Sequence, residues 1–185
     1  MSTSQQVNKV KFTKKLKIVP LISRQRIRKK VKELAGRISR DYKKKRPILL
    51  CVLKGALIFT ADLVGFLKIP VDIDFAWPSS YAGDQKSSGR IKFKYGPQPA
   101  LKGRDVIIVE DIIDTGLTLG VLKSKLNSLG AKSIRVCCLL DKKARRIKKV
   151  ILDYKGFGVP DKFLVGYGLD LADKYRNLPY IGYIK

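Results

Sequence analysis

Four short apolar runs constrain this chain more than anything else in it: "RPILLCVL" (46–53), "VDIDFAW" (71–77), "VIIV" (106–109) and "SIRVCCLLD" (133–141). A strand reads as near-continuous Val, Ile and Leu when both its faces are covered, as they are in a parallel sheet. Helical spacing fills the intervals. Ser23 suits an N-cap, and Ile27, Val31, Leu34 and Ile38 then recur every three or four residues, which predicts an amphipathic helix over 24–42 with a basic outer face. Leu57, Ala61 and Val64 mark the inward face of a second helix, which Pro70 stops. Leu119, Leu122 and Leu126 mark a third, over about 117–129, with Gly130 as its terminal glycine. Strands alternating with helices predict an α/β fold with a mostly parallel sheet. "FLVGYGLD" (163–170) reads as one more strand, short strands are expected near 91–95, and 78–90 has the small, polar composition of a loop.

A length of 185 residues matches one domain, 1–185, with 1–19 as a basic arm holding at most a short edge strand. At 45% hydrophobic residues the chain can bury a core, which excludes disorder as its main state. No apolar run nears the roughly 20 residues of a bilayer span, and the N-terminus lacks the apolar core of a secretory signal, so no membrane partner and a cytoplasmic location are expected. Cys51, Cys137 and Cys138 lie in apolar runs without ligand spacing and read as reduced core residues. The chain has no histidine, which closes imidazole-based triads and most zinc chemistry. The 40 Lys and Arg against 15 acids give a formal charge of +25. Such a balance suits nucleic acid, small polyphosphates, or a generally basic proteome. No aromatics interleave with the basic runs and no nucleic-acid module is visible, so nucleic acid is not the expected partner.

Against that charge, "VIIVEDIIDTGLTLGVL" (106–122) sets two adjacent acids where a buried strand should end, the place where ligands sit in such folds. Asp114, Thr115, Gly116, Leu117 and Thr118 then turn into a helix, so backbone N–H groups, two hydroxyls and the helix dipole can converge on a phosphate, with Gly116 permitting close approach. Glu110 and Asp111 can accept from sugar hydroxyls or hold Mg²⁺, which takes hard oxygen ligands. Helix capping is the plain alternative. The "DTG" of aspartic proteases needs an all-β fold, and "DID" at 72–74 lacks the further partners of an aspartyl phosphatase.

With "VLKGA", "SSY", "LLDKKARR", "VPDKFLVGYGLD" and "KYRNLPYIG" following in order, the sequence resembles the hypoxanthine-guanine phosphoribosyltransferases over about 18–184. That resemblance implies the type I phosphoribosyltransferase fold: a mostly parallel twisted sheet flanked by helices, with a small hood. It implies transfer of ribose 5-phosphate from phosphoribosyl pyrophosphate to a 6-oxopurine base, with Mg²⁺, in a homodimer or homotetramer. In it, 114–118 hold the 5′-phosphate, Glu110 and Asp111 meet the ribose hydroxyls and a Mg²⁺, and Asp114 is the general base. A non-proline cis peptide at Leu53–Lys54 presents the Lys54 and Gly55 backbone to pyrophosphate, and Arg176 is its second contact. Lys142 donates to the exocyclic oxygen, Phe163 stacks on the base, the Leu164 backbone meets the purine edge, and Asp170 holds a second Mg²⁺. Ser80 and Tyr81 belong to a lid. Leu117 stands where some members carry lysine and bacterial-type members carry leucine. A regulator of the same fold, binding nucleic acid through its basic surface, is the alternative; Asp114, Lys142 and Arg176 occurring together favour the enzyme.

Overall fold

In the computed structural model, residues 16–79, 92–95 and 99–185 are described. Strand β1 (Ile18–Ile22) leads to Ser23, whose Oγ accepts the Arg26 N–H at 3.4 Å and starts helix α1 (Arg24–Asp41). Ile27, Val31, Leu34 and Ile38 are buried as their spacing requires, and Ala35 joins them. Strands β2 (Ile48–Val52), β3 (Asp72–Ser79), β4 (Lys92–Tyr95), β5 (Asp105–Ile113), β6 (Ser133–Asp141) and β7 (Tyr154–Gly158) form one sheet in the order β4-β3-β2-β5-β6-β7. Its pairs are parallel except β3 with β4, which closes one edge. Strand β8 (Leu164–Val165) and β9 (Ile181–Ile184) join β1 in a separate antiparallel hood sheet, order β1-β9-β8.

Alternation along β2 divides the interior in two. Leu49 packs with α1 and with Phe59 and Leu63 of α2 (Leu57–Phe66), whereas Ile48, Leu50 and Val52 pack with Leu119, Leu122 and Leu126 of α3 (Leu117–Ser128). Each fully buried Leu or Ile contributes roughly 1.5–3 kcal/mol, which is why β2 carries no polar face, whereas in β3 one face leaves Ile73 and Phe75 exposed, contrary to the expectation of a strand covered on both sides. From β2 the chain passes through α2 to β3 on one side; from β5 it passes through α3 to β6 on the other. The β2/β5 boundary is therefore where winding reverses, and a crevice opens at the carboxyl ends of such a pair.

Several elements depart from the sequence expectations. The inward face of α2 is Phe59, Thr60 and Leu63, while Leu57 is half exposed and Ala61 exposed. That helix is apolar nearly all round, so tertiary packing, not periodicity, chooses its face. Ile18 and Val19, at the end of the basic arm, do form the short edge strand its reading permits, pairing with Ile184 and Tyr183. "FLVGYGLD" gives only a two-residue strand, because Gly166, Tyr167 and Gly168 all take positive φ. Strand β5 runs four residues beyond Val109, and β7 and β9 were not foreseen: "YKGFG" and "IGYI" carry glycines and no alternation. Ser80 and Tyr81 lie outside the described residues.

Candidate active site

Pairing of β5 with β2 stops at Val109 and Cys51, but pairing with β6 continues to Ile113 and Asp141. Beyond Val109 the strand is held on one side only. Glu110 and Asp111 therefore lie within β5 on the open flank of the crevice, not past the strand tip as the sequence suggested. Glu110 is 8% exposed, and its Oε2 meets no partner among the described residues. Burial, then the neighbouring Asp111 charge, push its carboxyl well above the ordinary range. Burial pushes Asp111 up to about 6, although the Ile112 and Asp111 amides and Arg176 pull it down; Asp170 adds to the rise.

Asp111 lies directly over Gly55. A Cβ there would sit 1.8 Å from Asp111 Oδ2, so any side chain at this position would displace the carboxyl. Gly55 follows the Leu53–Lys54 cis peptide, at the end of β2. Hood residues close over the same loop: the Gly168 Cα packs on the Gly55 carbonyl, and Arg176 Nη1 donates to the Gly168 carbonyl at 2.7 Å. Arg176 Nη2 also pairs with Asp170 (2.8 Å) and Asp173 (3.0 Å), and the same Asp173 oxygen receives Lys54 Nζ at 3.0 Å.

On the other side of β5's end, Gly116 takes φ 82° as the residue before α3, a conformation that suits glycine. The first helical bond runs from the Gly120 N–H to the Gly116 carbonyl, leaving the Leu117, Thr118 and Leu119 amides unspent within the helix. Leu117 N–H reaches only Thr115 Oγ1, at 3.4 Å. A cavity of about 110 Å³ lies here among Glu110, Asp114, Thr115, Gly116 and Thr118. Asp114 Oδ1 is buried without a partner among the described residues, and its Oδ2 stands 3.2 Å from Lys142 Nζ. Lys142 is 7% exposed and is held on its far side by Asp161 at 3.3 Å. Phe163 is half exposed while Leu164, in β8, is buried. The crevice thus sets unspent amides at one end, a carboxylate and a buried ammonium in contact at the middle, and two cations at the β2 loop.

Residues 21–172 match the model of the phosphoribosyl transferase domain. A hypoxanthine-guanine phosphoribosyltransferase of Bacillus subtilis is 47% identical over 165 residues, which cover 89% of this chain and 92% of that protein. The chain belongs to the hypoxanthine-guanine phosphoribosyltransferase family. Its relative in Lactococcus lactis is 44% identical, covering 89% of this chain and 90% of that one. A crystal structure of the Bacillus anthracis enzyme, with a HEPES molecule in its active site, superposes with a TM-score of 0.86 at 43% identity, covering 92% of this chain and all of that one.

Within this family's fold, the chain gathers Lys54, Gly55, Asp111, Asp170 and Arg176 around the β2 loop, and Glu110 and 114–118 with Lys142 around the start of α3. The plain reading of Phe163 as core fails on its exposure, and that of Lys142 as a solvated cation fails on its burial. Leu164 does serve the core through its side chain. Asp161 and Asp173, which hold Lys142 and the Lys54–Arg176 pair, were missed; Asp161 had only its place inside "VPDKFLVGYGLD" to mark it, and Asp173 falls between that motif and "KYRNLPYIG". A larger hollow of about 400 Å³, beside Lys45, Arg46, Arg104 and Lys132, lies at the amino ends of β2 and β5. Size alone does not locate the chemistry.

Proposed function

We propose that the protein transfers the 5-phosphoribosyl group of phosphoribosyl pyrophosphate to hypoxanthine or guanine, giving IMP or GMP and pyrophosphate. The observation that carries this reading is the contact of Asp114 with buried Lys142 beside the unspent α3 amides. A 5′-phosphate in that cradle and a base at Lys142 would span one nucleotide. Lys142 donates to the exocyclic oxygen of a 6-oxopurine, whereas the amino group of adenine would present it with another donor. Phe163 offers an exposed ring for stacking, and the Leu164 backbone borders the purine edge.

The reaction forms a bond from a purine imidazole-ring nitrogen to ribose C1 and breaks the C1–oxygen bond, whose electron pair leaves with pyrophosphate. Asp114 takes the proton from the other imidazole-ring nitrogen, and its charge favours the positive character that builds on the sugar. Lys54, the Gly55 backbone and Arg176 are placed to receive the leaving group.

Mg²⁺ would fit the donor set: Glu110, Asp111 and Asp170 offer the hard oxygens it takes, and burial disfavours the bare charge on Glu110 and Asp111. A Mg²⁺ held by these carboxylates would supply positive charge to offset that of the departing pyrophosphate. Three unpaired buried cysteines support a reducing, cytoplasmic setting, and the resemblance supports a homodimer or homotetramer. The regulator reading is not favoured.

Incubation with phosphoribosyl pyrophosphate, Mg²⁺ and each of hypoxanthine, guanine, xanthine and adenine, followed by absorbance, tests the proposal. Nucleotide should form with hypoxanthine or guanine and not with adenine; silence with all four refutes it.

A further inference from the structure

The anion cradle is held open from behind by a strap, residues 146–148. Arg146 Nη2 donates to the Ile113 carbonyl at 3.1 Å and Nε to the Asp114 carbonyl at 2.8 Å. The Ile147 and Lys148 amides both donate to the Thr115 carbonyl at 3.0 Å. Three successive carbonyls are thereby turned toward the strap. In a planar trans peptide the next residue's N–H points opposite to the carbonyl, so the Asp114, Thr115 and Gly116 amides are turned away from the strap. These three residues line the cavity on that other side. Close packing keeps the two layers in register: a Cβ on Gly116 would meet the Lys148 carbonyl at 2.7 Å.

The strap is itself anchored. Arg146 Nη2 pairs at 2.6 Å with Asp141, whose side chain is 2% exposed and also receives Lys155 Nζ at 2.7 Å. Burial pushes the Asp141 carboxyl up, but hydrogen bonds from Lys155 and Arg146 outweigh it, and the net shift is downward. Asp141 immediately precedes Lys142. One guanidinium therefore ties the loop carrying Asp114 to the strand end carrying Lys142.

We propose that Arg146, anchored by Asp141, is the positioning residue of the phosphate cradle: it orients the amides that bind the 5′-phosphate and fixes their distance from Lys142. It touches neither substrate nor reacting atoms. This rests on the reading of the cavity as the 5′-phosphate site. A lysine in its place keeps the charge beside Asp141 but cannot fork to two carbonyls.

The test measures dissociation constants of IMP and inosine for the wild-type chain, Arg146→Ala and Arg146→Lys, with thermal unfolding recorded for each. A general loss of structure would weaken both ligands; a misaligned cradle weakens only the phosphorylated one. Arg146→Ala should weaken IMP by roughly 10- to 100-fold while inosine changes by less than about threefold, with Arg146→Lys between wild type and alanine. If alanine prevents folding, the lysine variant carries the same comparison. IMP binding unchanged in the folded variants, or equal losses for both ligands, overturns the positioning role. A wild-type chain that binds inosine as tightly as IMP sinks the phosphate site itself, and the inference with it.

Discussion

Asp111→Asn should make the protein more stable and disable it. The carboxyl titrates at about 6 in the fold, against about 3.9 in an unfolded chain, and two units correspond to about 3 kcal/mol. The folded pKa is the raised one, so the fold binds this proton more tightly than the unfolded chain does. Below about pH 4 both states are protonated and the group costs nothing. Stability is lost as pH rises toward and through 6, and above that the full amount is missing. Asparagine has no charge to desolvate and keeps nearly the same shape. The variant should therefore exceed wild type by about 2–3 kcal/mol at pH 8 and by about half that at pH 5. Urea denaturation at pH 5, 6, 7 and 8, without Mg²⁺ or nucleotide, reads the difference directly. A gap independent of pH, or a variant weaker than wild type at pH 8, would refute the account of Asp111 as a carboxyl whose charge burial disfavours.

Gly55→Ala would place a methyl 1.8 Å from Asp111 Oδ2 and 2.6 Å from its Cγ, forcing the carboxyl aside by more than an ångström. Steady-state kinetics should show kcat/KM down by roughly 100-fold, and urea titration a stability loss of about 1–3 kcal/mol. Asp114→Asn should lower turnover by roughly 10²–10⁴ with IMP binding largely kept; near-normal turnover removes the base. Lys142→Ala should raise KM for hypoxanthine roughly tenfold or more, and an unchanged preference over adenine would refute the donor role.

The sheet and two of the three helix faces could be read from the chain because periodicity reports burial directly: "SIRVCCLLD" is β6 to the residue, and Ile27 to Ile38 is the buried stripe of α1. The α2 face could not, since every direction around that helix is nearly as apolar as the next. The hood strands are too short, and too interrupted by glycine, for a period to form. At the crevice, the acids and the turn after β5 stood out against a basic chain, and the resemblance supplied the partners. The strap did not stand out. Arg146 is one cation in "DKKARRIKK", and only its three acceptors, two of them backbone carbonyls, set it apart from Lys143 and Arg145. Hydrogen bonds to main-chain carbonyls leave no trace in residue type.

Six of the chain's fifteen acids, Glu110, Asp111, Asp114, Asp161, Asp170 and Asp173, crowd one crevice of a molecule whose formal charge is +25. The long-range field and the local one therefore have opposite signs. Out to about a Debye length the net charge draws in polyanions, and that reach shortens as ionic strength rises. Within a few ångströms the carboxylates resist the same visitor unless it arrives with a metal ion. Capture and seating are thus governed by different charges, so salt acts on the encounter more than on the seat.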